Sequence, residues 1–455
     1  MRPQPAMGLV ATVSLIVGYV VGATIFILPG ALLRDTGSGV FVAYLLAAVP
    51  AVIAALVMAQ IGSAYQRGGA LFDFLRDHIG DWASFTYAWL FVSLAAIVIP
   101  AIAAGLADYV SEYVPGLPPG LAALLAIALF ALLNTLGVQT ASRAQTGMVV
   151  LFIVVLLGFA LAGMASGDTG RLLPVAPAGW RPLLSAAATA YFSYVGVFVV
   201  AEVAGEIRDP QRTIPRAVLL SLAVVVLVYT VVPLALAMLT ADPEQAHETL
   251  AMRQAAQRIF PPALLHVLSI AAICAAATSI NAILMGLSRD LQEAARSRQA
   301  PPFLGRSNRA GVPAAAIFVI AALAGAGVLA GGTVLQYARL AIIGLMVVQV
   351  LTAIALWRFA GTRPAAGRTG FELPPLTLRG LALLYGSSSL AFFLLLVTEQ
   401  PRALAWLGAY LLVGYAFFFL LQRLTADDNG GYQRSPTDLS LQEHCFDERV
   451  DGAKE

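Results

Sequence analysis

Residues 18–30 read GYVVGATIFILPG. The run lies early in a long apolar stretch of the kind that crosses a bilayer, yet it places Gly18, Gly22, Thr24 and Pro29 inside that stretch. Glycine is a poor helix former, and the threonine beside it adds a β-branched side chain with a competing hydroxyl. Lipid has no water to satisfy a freed backbone group, so such weak spots persist only where the backbone lines a cavity or is buried in protein. The stretch predicts a broken membrane helix built around a ligand.

The rest of the chain agrees with a membrane setting. Of its 455 residues 59% are hydrophobic and only 11% charged, and the mean hydropathy is +0.83, well outside the range of soluble domains. Twelve apolar segments approach the ~20 residues a span requires: 8–33, 38–63, 82–109, 119–136, 143–165, 183–206, 217–240, 262–287, 313–330, 335–357, 376–397 and 403–423. The first is too long for a secretory signal and lacks a small-residue cleavage site, so it reads as an uncleaved anchor. With the N-terminus cytoplasmic, the inner loops and tails hold 20 of the 27 Lys and Arg. The outer loops hold Arg34, Arg171, Arg181, Arg253, Arg258 and Arg402, and Arg339 falls in the tenth span. This bias places both termini inside.

Several function classes fall away. There is no GxSxG elbow, no HExxH and no Walker sequence, and the single lysine, Lys454, lies in the tail. An enzyme is therefore not expected. Cys274 in a span and Cys445 in the tail should not pair, and the four histidines (His78, His247, His266, His444) have no metal-ligand spacing. Neither a cofactor nor a nucleic-acid partner is expected. Residues 425–455 turn polar and read as a disordered cytoplasmic tail.

The opening stretch has a counterpart in the sixth span, AYFSYVGVFVVAEVAGEIRDPQRTIPRA (residues 190–217), where Gly196 follows Ser193 and Tyr194. Single glycines in membrane helices often do no more than permit close packing. Two weak segments at matching places in two halves, however, are the sequence mark of a transporter site between inverted repeats. One repeat would hold helices 1–5 and the other helices 6–10, with 11 and 12 added.

At these residues the chain resembles the amino acid–polyamine–organocation transporters, which have the LeuT-type fold. Three pieces carry the resemblance, which runs over residues 8–358: VGATIFILPG in helix 1; AQIGSAYQRGGALFDFLRDHIG after helix 2, with Gly68, Gly69 and Gly80; and GEIRDPQRTIPRA ending helix 6, with Glu206, Pro210 and Pro215. The loop SRDLQEAARSRQAPP after helix 8 also fits. The resemblance implies an all-α polytopic membrane protein of 12 transmembrane helices in a 5+5 inverted repeat. Helices 1 and 6 would be broken, and residues 376–423 would form two additional helices.

It also implies roles. The unwound part of helix 1, matching Val21, Gly22, Ala23, Thr24 and Ile25, would present amides to a substrate carboxylate, as the start of a half-helix favours an anion. The break in helix 6, from Ser193 through Tyr194 to Gly196, would offer carbonyls to an ammonium, and Phe192 would cover the occupied site. Relatives usually carry a third glycine where Thr24 stands. Relatives that exchange cationic substrates carry a Glu where this chain has Phe198, and an apolar residue there gives a cationic side chain no counter-charge. Ala275, Thr278 and Ser279 reproduce the spacing at which sodium-coupled LeuT-type carriers supply a carbonyl and two hydroxyls, with carbonyls of Gly18 and Val21 completing the set. Alternatively, the two hydroxyls bond to helix carbonyls a turn earlier. Proton-coupled relatives place a Lys ammonium from helix 5 here, where this chain has Phe152. Glu202 reads either as part of a proton path or as a partner of loop arginines, and pairing is the expectation.

The expected function is secondary active transport of a small zwitterion by alternating access in the cell membrane. The expected cargo is a neutral, apolar amino acid, carried by sodium symport. A polyamine or amine permease, a proton-coupled carrier or exchanger, and a transporter-like sensor remain the alternatives.

Overall fold

The protein is described from a computed structural model that covers residues 7–66, 68–243, 250–331, 334–362, 373–399 and 401–427. Helices cover all twelve apolar segments. The first segment is α1 (Leu9–Val20) followed by α2 (Thr24–Thr36), and the second is α3 (Val40–Ala64). A short α4 (Ala70–His78) precedes the long α5 (Asp81–Val110), α6 (Pro119–Thr135) and α7 (Val138–Ser166). The sixth segment is α8 (Trp180–Ala190), a 3₁₀ stretch (Tyr191–Phe198) and the single turn α9 (Val199–Glu202). Then follow α10 (Pro210–Leu239), the short α11 (Ala251–Ala256), α12 (Pro262–Arg296), α13 (Ala314–Ala330), α14 (Val334–Thr362), α15 (Pro375–Glu399) and α16 (Pro401–Asp427).

Among the described residues nine helical stretches are long and apolar enough to cross a membrane, counting Leu9–Ala64 as one. Pro119–Thr135 and Ala314–Ala330 are shorter apolar helices. The chain is an all-helical polytopic membrane protein. Its helices differ sharply in burial. In the apolar window of Trp180–Glu202 89% is buried, against 11% in Leu404–Arg423, so the sixth segment is central and the last peripheral. α1 packs against α7, α10, α12 and the 3₁₀ stretch, which seats both weak segments at the centre of the bundle.

Several boundaries depart from the sequence reading. α12 continues nine residues past position 287, because Ser288, Arg289, Asp290, Leu291 and Gln292 remain buried against the loops at that end. α16 runs to Asp427, so the start of the expected tail is helical; residues 428–455, with His444, Cys445 and Lys454, lie outside the described residues, as does His247. The pair Gly68-Gly69 opens α4, and Gly69 takes φ +72°, a left-handed conformation that suits glycine.

Close packing sets tight limits elsewhere. A Cβ at Gly327 of α13 would lie 2.1 Å from the Ala96 carbonyl oxygen and 2.5 Å from Pro100 Cγ of α5. Neither neighbour can rotate away. Gly327→Val should therefore cost about 1–3 kcal/mol by overpacking, read as a lower unfolding midpoint of the detergent-solubilised protein. An unchanged midpoint would show that α13 and α5 can part without cost.

Candidate functional site

The break in the first segment is a local loss of the hydrogen-bond ladder rather than an extended unwinding. Val21 (φ −69°, ψ −49°) and Ala23 (φ −67°, ψ −31°) stay in the right-handed helical region. What changes is the partners. The Ala23 amide donates to Ser279 Oγ of α12 at 3.2 Å. The Gly18 carbonyl accepts from Thr278 Oγ1 at 3.0 Å and lies 3.3 Å from Ser279 Oγ. The Val20 carbonyl accepts from Thr24 Oγ1 at 3.2 Å, with the Tyr229 hydroxyl beside it. Gly22 is required by this arrangement, since a Cβ there would fall 1.8 Å from Ser279 Oγ and 2.5 Å from Gly18 O. The glycine thus makes room for α12, where the sequence reading had it make room for substrate.

The sixth segment is not an open break either. Its eight residues from Tyr191 to Phe198 form a 3₁₀ helix, longer than the usual three or four and poorer in hydrogen-bond geometry. A Cβ at Gly196 would lie 2.7 Å from Val20 N and 2.8 Å from Tyr19 C, so this glycine brings the two weak segments into backbone contact. Tyr229 of α10 ties them together. Its hydroxyl is 2.7 Å from Thr24 Oγ1 and donates toward Ser193 O at 3.0 Å, while its ring packs on Tyr44 and Tyr194. Tyr194 Oη donates to the Tyr44 carbonyl.

A narrow cavity of about 20 Å³ opens where the segments meet, space for one or two water-sized molecules and too little for an amino acid. Of the residues read as a substrate site, Thr24, Phe192, Ser193 and Gly196 line it. Val21, Gly22, Ala23, Ile25, Tyr194 and Phe198 do not, and the amides of Ala23 and Ile25 are already bonded, to Ser279 Oγ and Val21 O. Phe198 instead packs behind the wall, 5.7 Å from Phe91 between ring centres. The sequence reading missed Tyr19, the α5 residues Phe91, Leu94 and Val98, and Ile283 and Leu287 of α12, which make the lining predominantly apolar.

Four of the five residues read as a cation position come together. Thr278 Oγ1 reaches both Gly18 O and Ala275 O (2.7 Å), and Ser279 stands beside it. The Val21 carbonyl accepts from the Ile25 amide and lies 3.4 Å from Thr24 Oγ1. From α7 the neighbours of Gly18 are Gln145 and Val149, at 2.3 and 2.8 Å from a Cβ built there, rather than Phe152. Gln145 ends a buried amide chain. Asn134 Nδ2 donates to Phe130 O and to Asn281 Oδ1, and Asn281 Nδ2 donates to Gln145 Oε1 at 3.0 Å. The Phe130 carbonyl therefore sets the sense of the whole chain, and Gln145 Nε2, which has no acceptor among the described residues, is left facing Gly18.

On the far side of the cavity, where the short α4 and the end of α12 meet, charges are grouped. Arg289 Nε pairs with Glu206 Oε1 at 2.6 Å, and the chain near the N-terminus closes over Glu206 through Met7 N to Glu206 O. Glu202 has no such pair. The expected bridge to a loop arginine is absent among the described residues, because Arg289 is engaged with Glu206 one turn away. Tyr65, just beyond α3, donates to Asp77 Oδ2 at 3.0 Å; burial first, and then the Asp77 charge, push its phenol up, so it remains a donor.

Tyr229→Phe tests the tie between the segments. Removing the hydroxyl strands Ser193 O and a partner of Thr24, at a cost of about 1–3 kcal/mol. The expected outcome is a lower unfolding midpoint in detergent; a midpoint equal to the native one would remove the clamp role.

Comparison with known proteins agrees with this architecture. The amino acid permease family profile matches residues 12–419. The chain is 28% identical to an uncharacterized transporter of Mycobacterium tuberculosis, covering 70% of this chain and 72% of the relative. It is 26% identical to the L-asparagine permease of Streptomyces coelicolor, covering 79% and 78%. It is 24% identical to the branched-chain amino acid permease BcaP of Bacillus subtilis over about half of each chain (48% and 51%). With two interrupted helices joined at one cavity and a family match over nearly its whole length, the chain belongs to the amino acid permease family of the amino acid–polyamine–organocation superfamily, a family of transporters.

Proposed function

We propose that the protein is a secondary active transporter that carries a small neutral amino acid across the cell membrane by alternating access. The observation that carries this reading is the meeting of both weak segments, through Gly196, Tyr229 and Ser279, at one interior cavity. In this reading all twelve segments span, both termini are cytoplasmic, and residues 8–358 form a 5+5 inverted-repeat core. Residues 376–423 are additions and the polar end is a tail. The cavity is too small for its cargo as it stands, so substrate enters only when the segments part. A carrier of this kind works by differential binding to its outward- and inward-facing states.

The lining favours an apolar side chain. Phe91, Leu94 and Ile283 supply no charge, and Phe198, behind Phe91 in the wall, matches the position at which relatives with cationic cargo carry a Glu. Leucine and similar amino acids are therefore the expected substrates, as the names of the branched-chain and asparagine permeases also suggest for neutral cargo. Phe198→Glu should lower leucine uptake into vesicles. Arginine or putrescine preferred over leucine by the native protein would overturn the assignment.

The coupling ion in this reading is sodium, held by carbonyls of Gly18, Val21 and Ala275 and the hydroxyls of Thr278 and Ser279. Neutral oxygens suit a hard cation, and the hydroxyl hydrogens would turn away to admit it. One observation favours proton coupling over a bound cation: Gln145 Nε2, an N–H donor with no acceptor among the described residues, lies close to Gly18. Leucine uptake with sodium replaced by choline at fixed pH decides between the two. Sodium coupling predicts loss of concentrative uptake in choline, and loss of the sodium dependence in Thr278→Val with Ser279→Ala. Full uptake in choline removes the sodium site.

A further inference from the structure

Glu202 is 1% exposed, and neither carboxyl oxygen has a hydrogen-bond partner among the described residues. It lies against α12 at Gly286, where an added Cβ would come within 1.8 Å of Glu202 Oε2. Asp290, one helical turn further along the same face of α12, is fully buried; its Oδ2 accepts from Tyr87 Oη at 2.6 Å and its Oδ1 has no partner. Two carboxyls thus share an interior site that, among the described residues, holds no cation of its own.

Among the described residues, which leave out Arg67 beside Gly68, the charges that could compensate them are bound elsewhere. On α12, Arg289 pairs with Glu206 at 2.6 Å and Arg296 with Glu293 at 3.6 Å. On α4, Arg76 pairs with Asp73 at 2.8 Å, Asp77 accepts from Tyr65, and His78 bonds to the Phe74 carbonyl. Among the described residues α1 brings Tyr19, and α5 brings Tyr87, which is bonded to Asp290. α3 offers Tyr44, which packs on Tyr229, and the 3₁₀ stretch offers Tyr191 and Tyr194, which bond to Gln349 and the Tyr44 carbonyl. An ionised carboxylate with neither donor nor counter-charge is not kept in such an interior, whereas a neutral acid is. Like carboxyls side by side reinforce this, since both cannot ionise together.

We propose that Glu202, with Asp290 beside it, is a proton-binding site that is neutral while this end of the protein is closed and gives up its proton when this end opens. The proposal rests on the transport reading but not on which ion holds the position at Thr278. When α9 separates from α12 and water enters, the Glu202 O–H bond breaks, the proton passes to water and the carboxylate is hydrated. Reclosure requires Glu202 to take a proton back from water. The closed state therefore binds one more proton than the open state, so low pH favours closing and rising pH favours opening. The cavity is in contact with this switch: Tyr87 packs on Phe91 at 4.5 Å between ring centres, and Phe91 and Tyr19 both line the cavity.

The test uses the full chain in vesicles with a trapped pH indicator, radiolabelled leucine as probe, and the variants Glu202→Gln and Asp290→Asn. Native protein should move protons on leucine addition, and its leucine counterflow should vary with pH by up to about tenfold per unit, the slope of one proton. Glu202→Gln should retain counterflow, lose the proton movement and flatten the pH profile. Asp290→Asn should keep a one-proton profile with a shifted midpoint. Infrared spectra recorded across a pH titration without leucine should show a protonated-carboxyl band that Glu202→Gln removes. Proton movement unchanged in Glu202→Gln, or no such band in the native protein, overturns the proposal. If Glu202→Gln does not fold, an unmoved midpoint in Asp290→Asn does so. If native protein moves no leucine, the leucine reading fails while the infrared band still decides the site.

Discussion

A backbone carbonyl released from a helix inside a membrane has no water to turn to, and this structure is organised around meeting that requirement with hydroxyls. Gly18, Val20 and Ser193 give up their carbonyls at the two weak segments, and Thr278, Thr24 and Tyr229 take them. Each of these hydroxyls comes from a different place in the chain, so the interrupted helices are stable only when α10 and α12 are docked against them. The unusually long 3₁₀ run from Tyr191 to Phe198 belongs to the same logic. It is a strained form that neighbouring backbone at Tyr19 and Val20 holds in place, through a contact only glycine at position 196 permits.

The fold was largely legible because its signals are one-dimensional. Segment length and hydropathy identify spans, arginine placement identifies loops, and Gly22 with Gly196 marks the weak points. The lining was only half legible. Thr24, Phe192, Ser193 and Gly196 sit next to those glycines and could be read from them. Phe91, Leu94, Val98 and Ile283 lie on helices apolar on every side, where periodicity is silent about which face looks inward. Tyr229 and Gln145 were detectable in principle, as polar groups in apolar spans. Their partners were not, since Gln145 meets Asn281 across 136 positions and Tyr229 meets Thr24 across 205.

The glycines show a second limit. Gly22 reads as a place for a ligand to approach, yet the atom that fills its missing side chain is Ser279 Oγ, and Gly286 is filled in the same way by Glu202 Oε2. A glycine in a membrane helix records that something comes close, while its sequence context does not say whether the neighbour is cargo or protein. The acid at position 202 was misjudged for a related reason. An arginine was rightly expected nearby, but Arg289 reaches Glu206, one turn away.

α12 is a single unbroken helix of 35 residues, about 52 Å long at 1.5 Å per residue. Ser279 and Gly286 are seven residues, or about 10 Å, apart along it, one touching the first weak segment and the other the end of the sixth. A rigid rod touching both mobile parts works as a common ruler. Neither part can tilt against it without changing its own contact, so the two ends can keep time with each other mechanically, with no signal passed through the cavity between them.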